Sequence, residues 1–256
     1  MKHRHSWLAL ASIIVTLLAF AACQDNNEEG KLAYPTALVT VKPGTGTTPF
    51  ILQLNDSTSL MPYNMRTSPF GDKEVRALVN YDVMYSVGQR SGGAPVKDAT
   101  FVTINWIDSI RTKWMAPNLG DRNVKLYGDD PLEVVDDWVS IAEDGYLTLR
   151  FRTRWNGKVR HVLNLVATSD NDNIYKVRLY HDAKGDLYGQ TGDGLIAFRL
   201  DNLPYTGEKY VWLTLEWNSY SGKKTARFKY STRENSVITP TKLATFAAPV
   251  QITNVD

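Results

Sequence analysis

The chain has 256 residues and carries 29 Lys and Arg against 27 Asp and Glu, a formal charge of only +2. Lys2 and Arg4 lie in a stretch expected to be removed on export, which takes the remainder to zero and excludes a basic protein built to neutralise nucleic-acid phosphates. Seven Trp exclude an aromatic-poor disordered chain, and a single cysteine excludes both an internal disulfide and a Cys-based zinc site.

The first element is an export signal. Lys2, His3, Arg4 and His5 precede an uncharged apolar run from Trp7 to Ala22, the layout of a secretory signal peptide over residues 1–22. The run falls short of the roughly 20 apolar residues needed to span a bilayer. Cys23 follows Phe20-Ala21-Ala22, and this placement resembles the bacterial lipobox. The resemblance implies that the Cys23 thiolate takes a diacylglyceryl group, that the peptide is cut before it, and that the new amine is acylated, with palmitate a typical chain. Each buried CH₂ contributes about 0.8 kcal/mol, and two or three chains hold where one is marginal. Residues 23–33 are expected to be the acylated cysteine and a flexible tether, because Gln24 to Lys31 lacks any large apolar side chain. Asp25, Glu28 and Glu29 resemble the acidic stretch of surface-exposed Gram-negative lipoproteins.

Residues 34–116 read as five strands: Ala37–Val41, Phe50–Leu54, a short one starting at Ser59-Leu60-Met61, Glu74–Val87 and Phe101–Trp114. On the fourth, Val75, Ala77, Val79, Tyr81, Val83 and Tyr85 share one face. Gly88 to Pro95 is a loop. No sustained 3.6-residue period appears, so helices are expected to be scarce. Five strands with long fourth and fifth members suit an OB-like barrel, which leaves no open edges. Between Pro43 and Met65, on the usual OB binding surface, there is no Lys or Arg, so nucleic acid is again disfavoured.

Residues 117–234 read as seven strands, Glu133–Ile141, Tyr146–Trp155, Val159–Thr168, Ile174–His181, Leu195–Leu200, Tyr210–Trp217 and Thr225–Tyr230. Explicit turns separate them, among them Glu143-Asp144-Gly145 and Asn156-Gly157. This pattern predicts a seven-stranded, Ig-like β-sandwich, giving an all-β chain overall. Leu147, Leu149, Phe151 and Trp155 are expected inside, with Thr148, Arg150, Arg152 and Arg154 outside; Val211, Leu213, Leu215 and Trp217 inside, with Tyr210 and Trp212 outside. Residues 235–256 are a tail, in which Ala248 to Ile252 is a candidate edge strand.

Three runs carry a family resemblance: Ile104-Asn105-Trp106-Ile107-Asp108-Ser109-Ile110, the run from Asp137-Trp138-Val139-Ser140-Ile141 to Phe151, and His161-Val162-Leu163-Asn164-Leu165-Val166. With the cysteine and the acidic tether, they resemble the NigD-like lipoproteins. That family implies an N-terminal OB-type domain, a C-terminal β-sandwich and, through a namesake tied to a bacteriocin operon, an immunity role. The resemblance covers Cys23 to about Tyr230 and brings no active-site residue.

Candidate chemistry is sparse. Asp129-Asp130 and Asp136-Asp137 read as turn and surface acids, since neighbours on a strand point to opposite faces and do not bracket a glycosidic bond. Asp170-Asn171-Asp172-Asn173 lacks the glycine and distal glutamate of an EF-hand loop and reads as a polar hairpin turn. His161 and His181 are the only histidines outside the signal and are read as structural, so no metal or cofactor is expected. No Gly-x-Ser-x-Gly elbow or phosphate-binding glycine loop is present. The Arg150, Arg152, Arg154 row, with Arg178 and Lys176 nearby, reads first as a solvated face and second as an anion-recognising patch. Outward Tyr210 and Trp212 either stack on a ligand or lie beneath the first domain.

The expectation is a non-enzymatic binding or interaction protein, lipid-anchored through Cys23 at the outer membrane on its periplasmic or outer face. Its partners would be the membrane and an envelope protein or glycan. The alternatives are bacteriocin immunity and a surface glycan-binding accessory role.

Overall fold

The computed structural model describes residues 33–44, 49–87, 99–207 and 209–233. The signal peptide, Cys23, most of the tether, the Gly88–Pro95 loop and the tail from residue 235 lie outside the described residues.

The first five strands are β1 (Ala37–Lys42), β2 (Ile51–Gln53), β3 (Ser59–Pro62), β4 (Val75–Val87) and β5 (Ala99–Ser109). They close into a barrel in the order β1-β2-β3-β5-β4, with β3 and β5 parallel and the other pairs antiparallel. Alternation puts Val39, Val41, Leu52, Leu60, Val79, Val102 and Ile104 into its core. The inner face expected for β4 holds as far as Tyr81. Register shifts between Asn80 and Tyr81 and between Val83 and Tyr85 then interrupt the pairing with β5, and Val83 is exposed. The first shift places the extra residue, Asn105, on β5 and the second places it, Met84, on β4; Asp82, Val83 and Met84 are all exposed there, so the inward face ends at Tyr81.

The strand expected over Phe101–Trp114 is two strands. The buried Ile110 ends the first, its N–H donating to the Arg76 carbonyl at 2.8 Å. β6 (Arg111–Trp114) then leaves the barrel and pairs in parallel with a strand of the second domain. A turn of 3-10 helix at Gly120–Arg122 and a short helix α1 (Asn123–Tyr127) follow. α1 ends at Gly128, whose φ is +77°; a Cβ there would lie 2.5 Å from the His181 carbonyl, so only glycine lets the chain pass this close.

The remaining strands are β7 (Glu133–Val135), β8 (Ile141–Glu143), β9 (Tyr146–Trp155), β10 (Val162–Ala167), β11 (Lys176–Asp182), β12 (Gln190–Arg199), β13 (Val211–Ser219) and β14 (Gly222–Tyr230). One sheet runs β6-β12-β9-β7 with β8 also on β9; the other runs β10-β11-β13-β14. The described sandwich therefore has nine strands where seven were expected. β6 joins it from the barrel side, and the Glu133–Ile141 run is split. The split has a local cause: Asp137 Oδ1 accepts from the N–H groups of Val139 and Ser140 (3.1 and 3.3 Å), turning the chain between β7 and β8. Leu147, Leu149 and Phe151 of β9 meet Leu163, Leu165, Leu213, Leu215 and Trp217 across the core, each large side chain contributing about 1.5–3 kcal/mol.

The barrel sits on the outer face of the β6-containing sheet. Leu38, Leu78 and Ile110 pack there against Val139, Leu195 and Ala197. Tyr146 and Thr148 point away from the sandwich core yet are fully buried, because the barrel covers them. Arg76, fully buried at this junction, donates from Nε to Thr148 Oγ1 (3.2 Å), from Nη1 to Thr40 Oγ1 (2.9 Å) and from Nη2 to Glu143 Oε2 (3.3 Å). Burial pushes the Glu143 carboxyl up to about 7 against the pull of Arg76. Around this pair, Lys42 holds Asp144 (3.0 Å), Arg233 holds Glu74 (2.8 Å) and Asp56 accepts from Asp144 N–H (2.6 Å) and Ser231 Oγ (2.9 Å).

Candidate functional site

Arg150 and Arg152 of the β9 row are occupied within the fold. In the β9–β12 register Asp193 lies opposite Arg152. Arg150 donates to Asp193 Oδ2 (2.9 Å from Nε, 2.5 Å from Nη2) and to Asp137 Oδ2 (3.0 Å), while Arg152 donates to both Asp193 oxygens (2.5 and 2.9 Å). The Arg152 hydrogen bond, joined by Arg150, holds the Asp193 carboxyl below the usual carboxylate range. Arg154 lies over the Tyr220 ring at 5.9 Å. Arg178 grips Asp129 with both oxygens at 2.9 Å and lies over Tyr180. Lys176 reaches Glu216 (3.1 Å) and Asp170.

The other candidates also fall inside structural roles. Asp130 receives Ala183 N–H at 2.8 Å, and Asp136 is exposed. Asp170 Oδ1 accepts from the N–H groups of Asp172 and Asn173 (3.1 and 2.7 Å), closing the β10–β11 turn. His161 and His181, on the β10–β11 side of the core, are brought together: His161 Nδ1 is 2.9 Å from His181 Nε2, and His181 Nδ1 is 3.3 Å from the Asp130 carbonyl. Both rings are buried, and His161 Nε2, 3.7 Å from Asp186 Oδ2, makes no hydrogen bond. Burial drives both below the ordinary imidazole value, His181 to about 4, aided by the neighbouring His161. Among the described residues no group of three or more His, Cys, Asp or Glu could hold a metal ion.

The open face of β13 and β14 is different. Tyr210 and Trp212 stand 55% and 54% exposed. Trp212 lies opposite Lys229 in the antiparallel register, and diagonal contacts complete a zigzag: Lys229 Nζ is 4.2 Å from the Tyr210 ring centre and the Arg227 guanidinium 4.8 Å from that of Trp212. Cross-strand and cation–π pairs of this kind contribute about 0.5–1 kcal/mol each when exposed. Lys209, Lys223, Arg227 and Lys229 are all exposed and, among the described residues, meet no carboxylate. At the top of this face a cleft of about 150 Å³ opens between Lys209, Tyr210, Asp56, Asp144 and Arg233. Another, of about 540 Å³, lies between Phe70, Lys73, Glu74 and Arg199, where Glu74 is engaged by Arg233 and Arg199 by Asp201.

Of the residues singled out from sequence, Tyr210 and Trp212 alone fall on this open face, beside the barrel junction and not beneath the barrel. The cations of β14 complete this face, and their signal in the sequence is alternation: Lys223, Arg227 and Lys229 alternate with the inward Phe228 and Tyr230.

Residues 38–110 match the family described as NigD-like N-terminal OB domain, and residues 115–230 match the NigD-like C-terminal beta sandwich domain. No curated protein matches the chain. Among solved structures, one from Parabacteroides distasonis, described provisionally as a toxin-related protein, is 31% identical, covers 77% of this chain and 92% of its own, and superposes with a TM-score of 0.61. A protein of unknown function from Bacteroides vulgatus is 20% identical, with 78% and 92% covered and a TM-score of 0.59. A NigD-like immunity protein from Bacteroides caccae is 21% identical, with 77% and 98% covered and a TM-score of 0.52. The two matches run one after the other along a chain that folds as a five-stranded barrel seated on a β-sandwich, and this chain belongs to the NigD-like family.

Proposed function

We propose that this protein is an envelope lipoprotein, held at the bacterial outer membrane by acyl chains on Cys23, that works by binding a partner and not by catalysis. The observation that carries the binding part is the open β13–β14 face, where two exposed aromatic rings each carry a cation, Arg227 or Lys229, that meets no carboxylate among the described residues. Isolated exposed aromatics are ordinary, but aromatic and arginine side chains grouped on one face are the composition of recognition surfaces. The anchor part is supported by the placement of Cys23 directly after the apolar signal. No described helix is long and apolar enough to cross a membrane.

Metabolic labelling with a palmitate analogue tests the anchor. Label is expected on the wild-type chain and none on Cys23→Ala; equal labelling of both excludes this cysteine. A second reading, bacteriocin immunity, comes with the family. A deletion strain would then become sensitive to a toxin that the parent survives, and unchanged sensitivity across the toxins of neighbouring strains would end that reading.

A further inference from the structure

We infer that the β13–β14 face is a binding site for a linear acidic polysaccharide, read by Tyr210 and Trp212 as stacking platforms and by Lys223, Arg227 and Lys229 as the charges that meet its carboxylates. The inference deepens the binding role proposed above and rests on it for the compartment in which the ligand is met.

The chemistry follows from the arrangement. Tyr210 immediately precedes β13 and Trp212 lies on it two residues later, a spacing of about 6.7 Å in extended chain. Each has a cation fixed over it, Lys229 on Tyr210 and Arg227 on Trp212. Aromatic faces attract the apolar C–H side of a sugar ring, and cations attract its acidic substituents. A ligand that carries both at a regular short repeat matches a zigzag that alternates ring and charge. The other cations on the outward side of this sheet, Arg178 and Lys176, are paired with Asp129 and Glu216, so the uncommitted charge lies along β14, with Arg227 and Lys229 beside the two rings and Lys223 farther along, opposite Asn218.

An anionic bilayer would satisfy the same charges, but the geometry disfavours it. The tether joins the barrel at Tyr34, whose carbonyl accepts from Asn80 Nδ2 at 2.7 Å. β1 then runs from Ala37 to Lys42, about 17 Å, before Lys42 meets Asp144 at the cleft that Tyr210 also lines. The strip therefore begins at the end of the barrel remote from the point where the tether attaches, and it extends from there along the sandwich.

The test uses the full acylated chain in neutral detergent micelles, with affinity electrophoresis through polygalacturonate, dextran, an oligothymidylate and, by flotation, phosphatidylglycerol vesicles. Retardation by polygalacturonate that weakens with added salt is expected, with none by dextran. Trp212→Ala and the double variant Arg227→Ser/Lys229→Ser are each expected to weaken it at least tenfold while still melting in one transition lowered by only a few degrees, since the pairs they remove are exposed. Absence of retardation, equal or tighter binding to vesicles or to the oligothymidylate at matched charge, or a Trp212→Ala variant as tight as wild type would each overturn the inference. Cys23→Ala separates the two readings: polygalacturonate binding without palmitate labelling supports both, labelling that persists with binding intact removes only the anchor, and labelled wild type that fails to bind removes only the polysaccharide.

Discussion

Acidification should weaken the fold through His181. In the described arrangement His181 Nδ1–H points to the Asp130 carbonyl and its Nε2 accepts from His161 Nδ1–H, so the pair fits best with both rings neutral. The surrounding charged groups are Asp130, Asp182 and Asp186; they favour charging, but burial outweighs them. An imidazole ordinarily near 6.5 and held at about 4 in the fold is protonated in the unfolded chain across that interval and neutral in the folded one. Its full stability is therefore present above pH 6.5 and is lost as pH falls towards 4. The interval of 2.5 corresponds to about 3 kcal/mol between pH 7.5 and pH 4, or about 6–12 °C in Tm for a chain of this size. His161 is lowered too, by burial against the pull of Asp186, and adds in the same direction. Carboxylates elsewhere also titrate, so the informative quantity is a difference: urea midpoints at pH 7.5, 6, 5 and 4 for wild type and for His181→Gln. The variant should start less stable and lose about 3 kcal/mol less over the series. Parallel loss in the two proteins would refute the assignment of this pH dependence to the histidine pair.

Other expectations concern the junction, the turn after α1 and the arginine row. Arg76→Ala should cost about 3–5 kcal/mol in urea unfolding, because it leaves Glu143 buried without its partner; a double change, Arg76→Met with Glu143→Gln, should recover most of it. Gly128→Ala should destabilise by more than about 2 kcal/mol, since the added Cβ meets the His181 carbonyl at 2.5 Å in a left-handed conformation; a change under 0.5 kcal/mol would show that the approach relaxes freely. Asp193→Ser should free Arg152 while Arg150 keeps Asp137, and should strengthen polygalacturonate retardation beyond wild type in the same electrophoresis; retardation equal to wild type would show that the freed guanidinium stays out of reach.

The fold was legible wherever alternation and turn chemistry agree. β9 occupies the expected Tyr146–Trp155, and Leu147, Leu149 and Phe151 point inward as their spacing requires. The barrel was legible because its two long strands announce it. What sequence left hidden depends on register between distant strands. Asp193 is more than 40 residues from Arg150, and nothing local says that it will stand beside it. The irregularities of the β4–β5 pair, at Asn105 and Met84, are equally silent, and the face expected to run from Val75 through Val83 stops at Tyr81. The pairing of His161 with His181 also needs the β10–β11 register, in which Leu163 lies opposite His181. Two of the rings in the candidate site were visible from strand alternation; the cations beside them follow the same alternation on the next strand.

The chain turns from barrel to sandwich at one residue, Ile110, and commits Arg111–Trp114 to the second sheet at once. No slack exists there for a hinge, and an arginine without water on any side bolts the seam. Genes that shuffled one half against a stranger would have to reinvent both the seam and an edge of the sheet. A change at the seam is therefore felt by both halves at once.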